Sequence, residues 1–233
     1  MLAKDNLTEF SSKVALEVAA TSWIHVRLQD AIDRRRCAVL MAAGGSTPAN
    51  IYARLSEERL EWSSVQVGLT DERWVDNTHA ASNTAMLHRT LLQGSAAQAT
   101  FLPMKTSHED VFDAVEAVDS IYQPARCSDV MILGMGPDSH TLSWFKGGRG
   151  YDAAVSADNP STVAAIIAPQ SEVTGPNTVR MTLTQTCVAN ARHVLLLITG
   201  KDKRQVFETA PNDAPVSIMA KAAGDALSVF YCD

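Results

Sequence analysis

The chain has little cysteine. Its four residues, Cys37, Cys127, Cys187 and Cys232, lie far apart with no CxxC spacing. That argues against a disulfide framework and a cysteine metal site, and for reduced, mostly buried thiols. No apolar run approaches the ~20 residues that span a bilayer. The opening "MLAKDNLTEFSSK" lacks the apolar core of a signal peptide. Positive charge is not in excess: the net charge is −6, which argues against a general nucleic-acid surface. A pocket for an acidic small molecule needs only two or three cations and stays open. Internal repeats, low-complexity tracts and clear linkers are also missing. These absences imply a cytoplasmic protein with no membrane and no nucleic-acid partner.

What is present is the composition of a folded globular chain, 46% hydrophobic and 20% charged over 233 residues. One α/β domain over residues 1–233 is expected. Apolar strands are predicted at Ala38–Ala42, Val65–Leu69, Asp129–Leu133, Val163–Ala168 and Val194–Ile198, with shorter ones at Phe101–Met104 and in the tail "LSVFYCD". Helices are predicted over Leu7–Arg35 (one long or two short), Pro48–Arg59, Ser82–Leu92 and Ser107–Tyr122. Arg180–Ala189 reads as a strand followed by a helix, and "TGKDKRQVFETA" as a loop running into one. Alternating strands and helices predict a Rossmann-like, mostly parallel sheet with helices on both faces. In such sheets ligands sit at the carboxyl ends of the strands. Four polar segments follow predicted strands: Gly44–Pro48, Thr70–Val75, Gly134–Thr141 and Gly200–Lys203. All four are expected to converge on one cleft.

The stretch "MAAGGSTPANIY" runs a strand into Gly44 and Gly45, then Ser46, Thr47 and a helix with Pro48 in its first turn. Two glycines let backbone N–H groups approach a ligand, and the helix points its positive end at the loop. The pattern is neither a Walker loop nor a dinucleotide fingerprint. It fits an anion site, and equally a tight turn capped by Ser or Thr. "LTDERWVD" places Asp71, Glu72 and Arg73 together, either paired with each other or addressing a ligand. "LGMGPDSHT" sets Asp138 two residues from His140, a spacing that suits a base and its orienting carboxylate, or a histidine that caps a helix. Arg180 and Lys203 alone read as surface charge; beside a Gly-Ser-Thr loop they would clamp a phosphate.

Taken in order, "GGSTP", "TDERWV", "SNTAML", "VMILGMGPDSHT", "VRMTLT", "TGKDK" and "PVS" resemble the 6-phosphogluconolactonase family of the glucosamine-6-phosphate isomerase/6-phosphogluconolactonase superfamily. The resemblance spans Gly44 to Ser217. It implies an isomerase/lactonase-type fold and hydrolysis of 6-phospho-D-glucono-1,5-lactone to 6-phosphogluconate in the pentose phosphate pathway, with no metal and no organic cofactor. It implies His140 as the catalytic residue, Asp71 and Arg73 as an acidic and basic pair, and Gly44, Gly45, Ser46, Thr47, Arg180 and Lys203 as phosphate contacts. The partner is a small sugar-phosphate lactone, and the chain is a monomer or homodimer.

In that scheme water attacks the lactone carbonyl while His140 takes its proton and Asp138 orients the imidazole. Arg73 or backbone N–H groups near Gly136 stabilise the oxyanion. No Gly-x-Ser-x-Gly elbow surrounds Ser139 or Ser143, so neither is read as a nucleophile.

Three departures from the family pattern stand out. Ser139 replaces a glycine, and a positive φ there would carry strain of roughly 1–2 kcal/mol. Lys146 replaces a proline, and "APQSEVTGPNTVR" lacks the lysine often found before the arginine strand. Two rival readings remain at this stage. Amino-sugar phosphate isomerisation with deamination wants a glutamate soon after the histidine, where this chain has Ser143-Trp144-Phe145-Lys146. A non-catalytic sugar-phosphate-binding protein is the other.

Overall fold

The computed structural model describes residues 6–233. The first five residues, part of the stretch read for a leader and of the domain range 1–233, lie outside them.

The chain begins with β1 (Leu7–Glu9), α1 (Lys13–Arg35), β2 (Ala38–Ala42), α2 (Ser46–Leu55) and β3 (Val65–Leu69). It continues through β4 (Asp71–Arg73), α3 (Asn83–Thr90), β5 (Thr100–Phe101), α4 (Val115–Ile121) and β6 (Val130–Gly134). Then follow α5 (Tyr151–Ala154), β7 (Val163–Ile167), β8 (Val179–Leu183), α6 (Gln185–Asn190), β9 (Val194–Thr199), α7 (Lys201–Thr209), α8 (Pro215–Ala223) and β10 (Leu227–Cys232).

Helix α1 forms because Leu16, Ala20, Ile24 and Leu28 recur every fourth residue and are buried as one stripe. Ser12 caps its start by accepting from the Ala15 N–H at 3.2 Å, and Arg36 ends it in the left-handed region at φ 61°. Strands β2, β3, β6 and β9 are short apolar runs buried almost throughout, as strands covered on both sides must be.

Seven strands form one parallel sheet in the order β1-β10-β9-β6-β2-β3-β5. From β2 the chain moves outward through β3 to β5; from β6 it moves the other way through β9 to β10. The strand order therefore reverses between neighbours β2 and β6. A crevice opens at their carboxyl ends, where such sheets bind ligands. With the usual right-handed crossovers, chain running in opposite directions from the reversal is expected to lay its helices on opposite faces. Accordingly α1, α2 and α3 pack in series, and α6 packs on α8. The expected α/β architecture is thus present.

Several expectations need correction. Leu7–Glu9 is not helical; it pairs in parallel with Val229–Tyr231 of β10. The tail strand is therefore interior, and β1 forms the edge. Val163 and Arg180 do not lie in the parallel sheet. Strands β4, β8 and β7 form a separate antiparallel sheet in that order. Thr70–Val75, expected as a loop, supplies strand β4. Within Ser107–Tyr122 only Val115–Ile121 is an α-helix, because the Asp110 carboxylate accepts the Phe112 N–H and holds a turn. Val111, Val118 and Tyr122 are nonetheless buried, and Val115 is half-buried. Helix α2 begins at Ser46 and stops at Leu55. Of the four free cysteines only Cys187 and Cys232 are buried; Cys37 and Cys127 are exposed.

Candidate active site

A cavity of about 370 Å³ opens at the β2/β6 reversal, and the four polar segments meet there. Gly44, Gly45, Ser46, Thr47, Asp71, Arg73, His140, Arg180 and Lys203 all line it. Asp138 does not line it; it stands on the far side of the imidazole.

Two helices begin at the cavity, α2 after Gly45 (φ 114°) and α7 after Gly200 (φ 91°), and no side chain caps either. Their first-turn N–H groups lack helical partners, and both dipoles direct positive charge at the opening. The loop before α2 is fixed from below by Tyr52, whose hydroxyl donates to the Ala43 carbonyl at 3.0 Å. Gly44 is required by a neighbour rather than by φ. A Cβ there would stand 2.1 Å from Asn83 Oδ1. Asn83 itself lines the cavity and donates from Nδ2 to the Asp71 carbonyl at 2.8 Å.

Strand β4 aims alternate residues oppositely. Asp71 and Arg73 face the cavity; Glu72 between them is fully buried. Its carboxylate accepts from the N–H groups of Arg73, Asn83 and Thr84 and from Ser82 Oγ, at 2.7–3.0 Å. A buried carboxylate thus holds the start of α3 and, with it, Asn83. Asp71 does not pair with Arg73, as the sequence allowed. It accepts from Ser143 Oγ at 2.6 Å and stands 3.9 Å from Arg180 Nη1. Arg73 gives Nη1 to the Ala81 carbonyl at 2.6 Å.

Arg73 and Arg180 face each other directly across the β4–β8 pair. Like charges so placed destabilise a sheet, and an anion between them would remove that penalty. Arg180 is pinned at the back by Nε to the Asn177 carbonyl (2.6 Å) and Nη2 to the Thr174 carbonyl (3.2 Å). Burial pushes its pKa below the ordinary arginine value, with Asp71 opposing and Arg73 adding to the shift.

His140 lies in a loop built by its own backbone. The Gly136 N–H donates to the His140 carbonyl at 2.9 Å, and the Val216 N–H at the start of α8 donates to the Ser139 carbonyl at 3.1 Å. Thr141 Oγ1 donates to the Gly134 carbonyl, and Trp144 Nε1 to the Leu183 carbonyl. Ser139 sits at φ 69° and Leu142 at φ 52°, so two non-glycine residues flank the histidine in the left-handed region. The serine-for-glycine departure therefore falls at a position that favours glycine.

His140 Nδ1 is 2.5 Å from Asp138 Oδ1. A carboxylate only accepts, so Nδ1 carries the hydrogen, and in the neutral form of the imidazole Nε2 keeps the lone pair. Partial burial tends to raise the Asp138 pKa. The hydrogen bond and charge of His140 outweigh it and hold the carboxyl below its ordinary value. The imidazole is tilted 30° against Phe145 with ring centroids 4.3 Å apart, and the Arg180 guanidinium lies 5.5 Å from the same ring.

Of the expected oxyanion donors, Arg73 and the backbone N–H groups near Gly136, the Gly136 N–H itself is already paired with the His140 carbonyl. Two contributors carried no role in the sequence reading. Asn83 stood in a quoted segment ("SNTAML"), with its Ser82 cap as the only signal; Phe145 was a bare apolar letter.

Residues 11–228 match the family described as glucosamine-6-phosphate isomerases/6-phosphogluconolactonase. A 6-phosphogluconolactonase of Xylella fastidiosa is 35% identical, covering 98% of this chain and 94% of its own. One from Neisseria meningitidis is also 35% identical over 88% of this chain and 90% of its own. Among solved structures, a 6-phosphogluconolactonase from Shewanella baltica superposes with a TM-score of 0.89 at 30% identity, with all of both chains covered.

Proposed function

The chain belongs to the glucosamine-6-phosphate isomerase/6-phosphogluconolactonase family, and from that premise we propose that it hydrolyses 6-phospho-D-glucono-1,5-lactone to 6-phosphogluconate. The observation that carries this reading is that an amide-rich, cationic cradle and a carboxylate-held imidazole line one cavity.

The 6-phosphate lies at Gly44–Thr47, held by the N–H groups of the α2 start, by the Arg180 fork and by Lys203. Anchoring there orients the remote C1 carbonyl at His140. Nε2 of His140 takes a proton from water as the water oxygen bonds to C1. General-base assistance of this kind contributes about 10²–10⁴-fold. Asp138 holds the ring's tautomer and stabilises the imidazolium. Arg73 balances the charge that develops on the carbonyl oxygen, an effect often worth ~3 kcal/mol per donor. Collapse breaks the C1–ring oxygen bond, and the ring oxygen takes the proton back from the His140 imidazolium, which regenerates the base. Asp71 acts as a positioning residue: it ties the His140 loop to β4 through Ser143 and steadies Arg180. Ser143 is buried and donates its hydroxyl to Asp71, which speaks against a nucleophilic role. No carboxylate occupies Ser143–Lys146, where the isomerase reading wants one.

The test is lactone hydrolysis measured above the spontaneous rate. Purified protein should accelerate it, and His140→Ala should lose about 10²-fold or more in kcat while binding 6-phosphogluconate as well as wild type. Full activity in His140→Ala would refute the assignment.

A further inference from the structure

A second cavity, of about 340 Å³, lies beside the first. Asp138, Phe145 and Lys146 line it from the His140 loop, Ser171 from the β7–β8 connection, and Pro211 and Asp213 from the α7–α8 connection. Among the described residues His140 alone lines both cavities. The phosphate cradle belongs wholly to the first, and the carboxylate on His140 Nδ1 to the second.

Resting on the lactonase reading, the chemistry needs two passages besides that of the sugar. Each turnover consumes one water, whose oxygen ends on C1. One of its protons ends on the former ring oxygen. The other leaves, because the new carboxylic acid ionises at neutral pH. A ligand that reaches from the glycine loop to His140 spans the first cavity and separates the imidazole from solvent on that side.

We propose that the second cavity is the port through which water reaches His140 and the surplus proton departs while the sugar phosphate fills the first. Its volume holds several waters at ~30 Å³ each. Its lining is mostly apolar, but charged groups stand along it: the exposed Asp138 carboxylate against His140 Nδ1, and the Asp213 carboxylate, 2.5 Å from Lys146 Nζ, at an exposed edge. The Lys146 departure from the family pattern falls on this rim.

Two exposed positions on different connections allow the port to be plugged without touching the catalytic groups, through Ser171→Trp and Pro211→Trp. Each should lower kcat about tenfold or more while the dissociation constant for 6-phosphogluconate stays at the wild-type value. Unchanged binding also certifies the fold. Wild-type kcat in both plugged proteins would overturn the port. Failure of the unmodified protein to hydrolyse the lactone at all would instead overturn the reading on which the port rests.

Discussion

Replacing Ser139 with glycine should stabilise the protein and leave catalysis nearly unchanged. Ser139 is held at φ 69°, where a side chain costs roughly 1–2 kcal/mol and glycine nothing. Glycine gives back about 0.5–1 kcal/mol through the larger entropy of the unfolded chain. The structure adds no further loss. The contacts fixing residue 139 are main-chain ones, its N–H to the Gly136 carbonyl at 3.2 Å and its carbonyl from the Val216 N–H at 3.1 Å, and glycine keeps both. The net gain is about 0.5–1 kcal/mol, or a Tm rise of about 1–4 °C for a domain of this size. Differential scanning calorimetry of the two proteins at matched concentration reads it directly. The same backbone path keeps His140 against Asp138, so kcat should stay within about threefold of wild type. A lower Tm for Ser139→Gly would show that the hydroxyl, not the backbone, secures the loop, and would refute the strain argument.

Arg180→Ala should weaken 6-phosphogluconate binding by about 10–100-fold, the worth of a hydrogen bond to a charged group, with a much smaller change in saturating kcat; calorimetric titration with unchanged affinity would place the phosphate elsewhere. Gly44→Ala forces a methyl to 2.1 Å from Asn83 Oδ1. It should cost about 1–3 kcal/mol by overpacking and loosen the phosphate loop, and urea unfolding at wild-type midpoint would contradict that. Asp138 is held below its ordinary carboxylate value, so its contribution is present above about pH 4 and fades as pH falls through the lowered value. The stability gap between wild type and Asp138→Asn should therefore be smaller at about pH 3 than at about pH 6. An equal or larger gap at the lower pH would reverse the sign of the argument.

The sequence made some of this legible for plain physical reasons. Ala38–Ala42 and Val65–Leu69 have the limits their sequences suggest, because Val, Leu and Met recur there as the buried residues of a short strand. Convergence of the four segments followed from the rule that ligands meet the carboxyl ends of such strands. Less legible was anything set by a second neighbour. Val163–Ile167 is as apolar as the central strands, and nothing local says that it pairs antiparallel with Val179–Leu183 in another sheet. The charges at 71–73 could be counted but not aimed. That Glu72 turns inward while Asp71 and Arg73 turn out depends on β4 being a strand of only three residues pinned on β8. Asn83 matters because α3 starts beside Gly44, and that approach is a property of the packed chain. The strain at Ser139 was anticipated only as a condition on φ, and the left-handed value meets the condition.

The central claim is that one cavity holds a sugar phosphate lengthwise, phosphate on the glycine loop and C1 on the imidazole. A crystal structure with 6-phosphogluconate bound tests it most directly. The account predicts phosphate oxygens within hydrogen-bond reach of the Gly45–Thr47 N–H groups and Arg180, with the C1 carboxylate beside His140 Nε2. A ligand lying the other way round, or one seated away from His140 altogether, would contradict it.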